Sequence, residues 1–264
     1  MASLISKDGT VIAYEKVGKG PAIVLVNGAL GHRGLNGEKQ LAALLATSFT
    51  VIFYDRRGRG ESKETKPYSV EGEIDDIEAL INEAGGKAFV HGSSSGAALA
   101  LLASSKLGAD KITKLSLYEP PYGAYLKDGK NGFAEIKKTI QDFVAEGKPG
   151  DGISFFFESI GTPPDVIQGI KKSPDWNQME KIGHTLVYDF EILGSGTVPI
   201  AVAKTIAMPT QVLDGEKSYD FMHSTADTLA KNIPDAQRKT LKDQTHQISA
   251  EALSPALSDF FSKT

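Results

Sequence analysis

The sequence predicts an α/β fold: a mostly parallel central sheet with helices on both faces, and a helical segment inserted late in the chain. Three observations carry this. Short apolar runs, mainly of β-branched residues, recur along the chain, as strands buried on both faces require. Helical patterns lie between the runs, and that alternation implies parallel pairing through crossover helices. One stretch of about ninety residues breaks the rhythm with no convincing strand pair, and it is too long for a plain loop.

Taken in order, Leu4 to Tyr14 reads as a β-hairpin turning at Asp8-Gly9. Ala22 to Val26, Thr50 to Tyr54, Ala88 to Val90, Ile112 to Tyr118 and Thr210 to Leu213 read as buried strands, and Arg238 to Leu241 as the last. Val70, Ile74, Ile77 and Ile81 recur at three- and four-residue steps and mark one helix, with Ser69 as its N-cap. Ala97 to Lys106, Thr225 to Asn232 and Ala250 to Phe261 are further helices. Between the strands ending near Tyr118 and starting near Thr210, helical stretches (Gly132 to Ala145, Ile153 to Ser159, Pro164 to Lys171) are punctuated by Pro149-Gly150, Pro163-Pro164, Pro174 and Gly194-Ser195-Gly196. The expected organisation is therefore a core over 1–120, a helical cap over 121–205, and the rest of the core over 206–264.

Composition bounds the chemistry. At 264 residues, 41% apolar and 23% charged, the chain has room for a large core without staples. A net charge of -4 gives no reason to expect nucleic acid or an anionic membrane as partner. There are no cysteines, which excludes disulfides, thiolate metal sites and a cysteine nucleophile. Met1 to Lys7 lacks a basic start followed by a long apolar run, and no stretch approaches the roughly 18 apolar residues of a spanning helix. A soluble, cytoplasmic protein is expected. The histidines are scattered, G-x-G-x-x-G is absent after the first strand, and no G-K-[ST] occurs, so no metal or nucleotide cofactor is expected.

The most specific signal is Val90-His91-Gly92-Ser93-Ser94-Ser95-Gly96-Ala97-Ala98, which contains G-x-S-x-G between a strand-like run and a small-residue helix. A sharp strand-to-helix turn holds the central serine in a strained conformation, and the positions two before and two after it must be small. Ser94 is therefore the expected nucleophile, at a helix N-terminus whose amides favour negative charge. A nucleophilic serine needs a base. His246 sits in Asp243-Gln244-Thr245-His246-Gln247, directly after the last strand, on the sheet edge where the elbow lies. In Asn27-Gly28-Ala29-Leu30-Gly31-His32, after an early strand, Gly28 lets the backbone turn. The Ala29 amide then serves with the Ser95 amide as an oxyanion hole.

These features, in this order, resemble the α/β-hydrolase family over essentially the whole chain. Tyr54-Asp55-Arg56-Arg57-Gly58-Arg59-Gly60-Glu61-Ser62 also resembles that family's D-x-R/P-G-x-G-x-S loop, whose arginines are expected to pair locally. The resemblance implies an α/β-hydrolase fold and a Ser-His-acid triad. The acid departs from the common pattern. Most members carry an aspartate shortly after the penultimate strand, where this chain has Ser218, with Asp214 and Asp220 off register. Some members, including haloalkane dehalogenases and a group of lactone hydrolases, place the acid after the strand that follows the nucleophile helix. Here that strand ends Leu117-Tyr118-Glu119-Pro120-Pro121, so Glu119 is the expected acid, with Asp214, Asp220 or no acid as alternatives.

In the cap, Trp176, His184 and Tyr188 are candidate substrate contacts, with His32 below them; the last two cap residues are four apart, as on one helix face. The expected function is hydrolysis of a carboxylic ester or lactone of an apolar small molecule through an acyl-enzyme. The alternatives are a catalytically silent small-molecule binder, an acyltransferase, or a cofactor-free haloperoxidase-like enzyme on the same triad. The oligomeric state stays open.

Overall fold

A computed structural model describes residues 2–127 and 130–263. In chain order the elements are β1 (Ala2–Ile5), β2 (Val11–Gly18), β3 (Ala22–Val26), α1 (Asn36–Leu45), β4 (Thr50–Tyr54), α2 (Val70–Glu83), β5 (Ala88–Ser93), α3 (Ser95–Leu107) and β6 (Ile112–Tyr118). A short antiparallel pair follows, β7 (Leu126–Lys127) with β8 (Lys130–Asn131). Then come α4 (Phe133–Ala145), α5 (Pro149–Ser159), α6 (Pro164–Lys171), α7 (Trp176–Ile182), a 3-10 turn (Gly183–Thr185), α8 (Leu186–Ile192) and α9 (Ile200–Ala203). The chain closes with β9 (Thr210–Gly215), α10 (Asp220–Asn232), β10 (Ala236–Leu241) and α11 (Ala250–Ser262).

Eight strands form one sheet in the order β1-β2-β4-β3-β5-β6-β9-β10. β1 and β2 are antiparallel to their neighbours, and every pair from β4 to β10 is parallel. Successive side chains point to opposite faces of the sheet, and the central strands are buried on both. Ile23, Leu25, Val51 and Phe53 pack on α1 and α11. Val24, Val26, Ile52 and Val90 pack on α2, α3 and α10, and that core runs on into α4, α5 and α8. Because β3, β5, β6, β9 and β10 are parallel, the loops at their C-terminal ends gather along one edge, where open α/β sheets place their sites.

The expected elements recur in place, with Ser69 accepting the Gly72 amide at 3.1 Å as the N-cap of α2. Three differences stand out. Helix α1 was not anticipated: it has no side-chain N-cap, and its buried residues, Leu41, Ala42 and Leu45, span barely one turn. β5 runs on to Ser93, because Gly92 and Ser93 keep extended pairing with β6. The stretch after β6 is not wholly helical, since it carries the β7–β8 pair.

Candidate active site

Ser94 sits between β5 and α3 with φ 55 and ψ -129. Its amide is tied to the Tyr118 carbonyl at 2.8 Å, which holds the turn against β6. The flanking glycines are steric requirements: a Cβ on Gly92 would lie 2.3 Å from the Gly96 carbonyl oxygen, and one on Gly96 2.2 Å from that of Val26. Among the described residues, the non-glycine positions with left-handed φ are Leu30, Ser94, Glu119 and Asp243. Each is a proposed site residue or lies within three residues of one, and such strain persists only where the surroundings over-determine it.

The loop after β10 delivers His246 to Ser94: Nε2 is 3.1 Å from Ser94 Oγ, and Nδ1 is 2.7 Å from Glu119 Oε2. Glu119 is fully buried and multiply bonded. The Gly215 amide donates to Oε1 at 2.7 Å, and Ser218 Oγ donates to Oε2 at 2.9 Å. Ser218, at the position where an acid was anticipated by resemblance, thus supports the carboxylate arriving from β6. Asp214 points away, gripped by both terminal nitrogens of Arg238 and bonded to His223. Burial works against its charge, but those hydrogen bonds hold its carboxyl below the usual range. Asp220 lies in the first turn of α10. Tyr118 adds a further tie, its buried hydroxyl donating to the Thr245 carbonyl beside His246.

Ser94 and His246 open onto a cavity of about 310 Å³. Ala29 and Ser95 line it too, and neither amide has an acceptor among the described residues. The walls are mainly apolar, built by Tyr125, Phe156 and Phe190 from the segment after β6 and by Tyr219, Phe221 and Met222 from around α10. Among the described residues, no arginine or lysine lines it.

The four proposed substrate contacts lie elsewhere. His32 borders a separate polar groove with Arg33, Asp55 and Glu61. Its ring accepts the Gly34 amide at 3.1 Å, and burial lowers its pKa. Trp176 packs against the core, with Lys171 Nζ 5.6 Å from its ring centroid. Tyr188 stacks on Tyr68 at 3.9 Å and donates to Glu64, and His184 Nε2 approaches the same Glu64 at 3.4 Å. The next two residues of α8, Asp189 and Phe190, are the ones that reach the cavity, because each helical step rotates the side chain about 100°.

Asp189 was missed, although its signal is present: a lone acid in the apolar run Leu186-Val187-Tyr188-Asp189-Phe190 calls for a partner when buried. Its partners come from the Asp55–Ser62 loop. Arg56, Arg57 and Arg59 are all nearly inaccessible, and each meets a carboxylate with two hydrogen bonds: Glu73, Asp76 and Asp189 respectively. Burial opposes the charge of Asp189, but Arg59 and Arg56 beside it hold its pKa below the ordinary value. The expectation of local pairing thus applies to Arg57 and to the Arg56–Glu73 pair, whereas Arg59, and Arg56 through Nη1, reach across to α8.

Among the described residues there is no group of three or more His, Asp or Glu arranged to hold a metal, and no helix long and apolar enough to cross a membrane.

Fold and site define an α/β architecture with a serine at a strand–helix elbow, and comparison with known proteins agrees on the fold. Residues 23–249 match the model of the Alpha/beta hydrolase family. The chain belongs to that family. It is 43% identical to an α/β hydrolase from Sphaerobacter thermophilus, with a TM-score of 0.89 over 99% of this chain and 100% of that one. An esterase from Thermogutta terrifontis is 22% identical with a TM-score of 0.76, covering 98% of this chain and 97% of its own. The enol-lactonase of Burkholderia xenovorans is 20% identical with a TM-score of 0.72, covering 99% and 100%. The last two likenesses are of fold alone.

Proposed function

We propose that the protein is a serine hydrolase cleaving a carboxylic ester or lactone of an uncharged, apolar small molecule. The observation that carries this is His246, which bridges Ser94 Oγ at 3.1 Å and Glu119 Oε2 at 2.7 Å at the wall of an apolar cavity. In this reading Ser94 attacks the carbonyl and passes its proton to His246 Nε2. Glu119 fixes the imidazole through Nδ1 and offsets its charge once protonated. The Ala29 and Ser95 amides receive the oxyanion. His246 then returns the proton to the leaving oxygen, and a water activated by the same imidazole releases the acyl group. Among the described residues the lining holds no arginine or lysine to pair with a substrate carboxylate, which favours neutral acyl groups. Residues 121–205 act as the cap over this cavity and, with α10, set substrate choice.

A fluorophosphonate probe tests the reading. It should label the wild type at Ser94, and a series of p-nitrophenyl esters and lactones should be turned over. Ser94→Ala, which removes one hydroxyl, should fold normally, resist labelling and lose several orders of magnitude in kcat/KM. An unlabelled, inactive but folded wild type would instead identify a silent binder.

A further inference from the structure

The cavity shares two buried residues, Asp189 and Ser95, with a network that runs behind the oxyanion loop. Arg59 is its hub, and all five of its N–H groups are engaged. Two, on Nη1, meet the carbonyls of Gly28 at 2.6 Å and Gly31 at 3.3 Å. The other three go to the segment after β6: Nε to Thr185 Oγ1 at 3.1 Å, and Nη2 to both Asp189 oxygens at 2.9 and 2.8 Å. Arg56 Nη1 adds a bond to the Asn27 carbonyl at 3.2 Å and another to Asp189 at 2.8 Å. On the far side, Ser95 Oγ donates to Asp189 Oδ1 at 2.7 Å.

Which carbonyls are held is what matters. The Gly28 carbonyl and the Ala29 N–H belong to one planar trans peptide, so they point in opposite directions. Clamping the oxygen onto Arg59 aims the N–H the other way, into the cavity that Ala29 lines. A guanidinium on the oxygen also polarises the peptide and strengthens its N–H as a donor. Asp189 anchors that guanidinium and, through the Ser95 hydroxyl, the residue that supplies the second amide.

We propose that Asp189 and Arg59 are positioning residues for the oxyanion hole, so that helix α8 sets the strength of transition-state binding as well as roofing the cavity. This rests on the serine-hydrolase reading above.

The test measures p-nitrophenyl butyrate kinetics, inhibition by phenylboronic acid, and thermal melting for the wild type, Asp189→Asn and Arg59→Lys. Phenylboronic acid bonds to the serine oxygen as a tetrahedral anion, so it reports on the hole. The amide in Asp189→Asn loses one acceptor oxygen and the charge, and the lysine in Arg59→Lys cannot serve Gly28, Thr185 and Asp189 together. Asp189→Asn should lower kcat roughly 10- to 100-fold, move KM less than about threefold, and weaken phenylboronic acid by a factor parallel to the kcat loss. Arg59→Lys should act in the same direction, more mildly. A folded variant that keeps kcat and boronate affinity within about twofold of wild type overturns the proposal, as does a kcat loss without a matching loss of boronate affinity. If neither variant folds, Ser95→Ala decides it. That change deletes the hydroxyl given to Asp189 and keeps the amide, and unchanged boronate affinity there overturns the proposal. A wild type that is not labelled by fluorophosphonate at Ser94 defeats the underlying reading instead.

Discussion

Glu119 leaves a strand with left-handed φ, fully buried, and gathers hydrogen bonds from His246, Ser218 and the Gly215 amide. A carboxylate so placed can hold one imidazole tautomer and offset the imidazolium that the proposed attack by Ser94 would form. The amide of Glu119→Gln can present its NH₂ to His246 and favour the wrong tautomer. Glu119→Gln should therefore cost on the order of 10³- to 10⁴-fold in kcat. Asp214→Asn should leave kcat within about tenfold and lower the melting temperature, since it removes the buried charge that pairs both terminal nitrogens of Arg238 and leaves that guanidinium only the exposed Asp227 carboxylate. Esterase kinetics and melting curves on the two variants check this, and the reverse order of kcat losses would reassign the acid. At this scale the sequence was readable wherever a backbone constraint leaves a mark. Gly92 and Gly96 bracket Ser94 because nothing larger fits, and His246 follows its strand at the right edge. The lone acid at Asp189 marks itself as needing a partner but does not show which, because Arg56 and Arg59 lie 133 and 130 residues away and only the fold joins them.

Strands β5, β6 and β9 share a polar ladder just behind the elbow. His91 meets Ser116 Oγ at 3.0 Å through Nδ1 and Ser93 Oγ at 3.1 Å through Nε2, and Gln211 Nε2 donates to the same Ser116 oxygen at 3.0 Å. A neutral imidazole satisfies both hydroxyls, one nitrogen donating and the other accepting. Burial pushes the His91 pKa down to about 3 from an ordinary value of 6.5. The unfolded chain then binds more protons than the folded one between these values. Stability contributed by this site is fully present above about pH 6.5 and drains away as pH falls toward 3. His91→Gln should flatten that part of the profile, narrowing the gap to wild type by roughly 2–3 kcal/mol at pH 4 relative to pH 7. Chemical denaturation of both proteins at the two pH values measures it, and parallel profiles would show that His91 is not the titrating group. Elements with strong internal periodicity, such as α2, were legible in full. Helix α1 and the short pieces α7 to α9 were not, because their stability comes from packing on α11 and on the rest of the fold rather than from caps or a long apolar stripe.

Across the whole molecule, the segment between β6 and β9 is tied to the sheet by a buried ionic seam and an aromatic core, and only part of its aromatic content faces the cavity. That division separates two kinds of aromatic residue that look alike in sequence. Phe156 lines the cavity and has no part in the proposed triad or oxyanion hole, so under the proposed hydrolase reading it would contact the parts of a substrate that do not react. Trp176 instead packs on the core beside Gly150 and under Lys171. Phe156→Ala should enlarge the cavity and shift the ranking of p-nitrophenyl esters toward longer or bulkier acyl chains, with little change toward acetate. The Trp176→Ala variant should leave the ranking as it is and lower stability, by about 1–3 kcal/mol for a partly buried ring, below the cost of a fully buried one. The two variants form a matched pair, because both remove one aromatic ring from the same segment. Their ester profiles, normalised to acetate and set against melting temperature, decide between lining and packing. A ranking shift in Trp176→Ala with none in Phe156→Ala would mean that substrates enter by a face other than the cavity that Ser94 and His246 share.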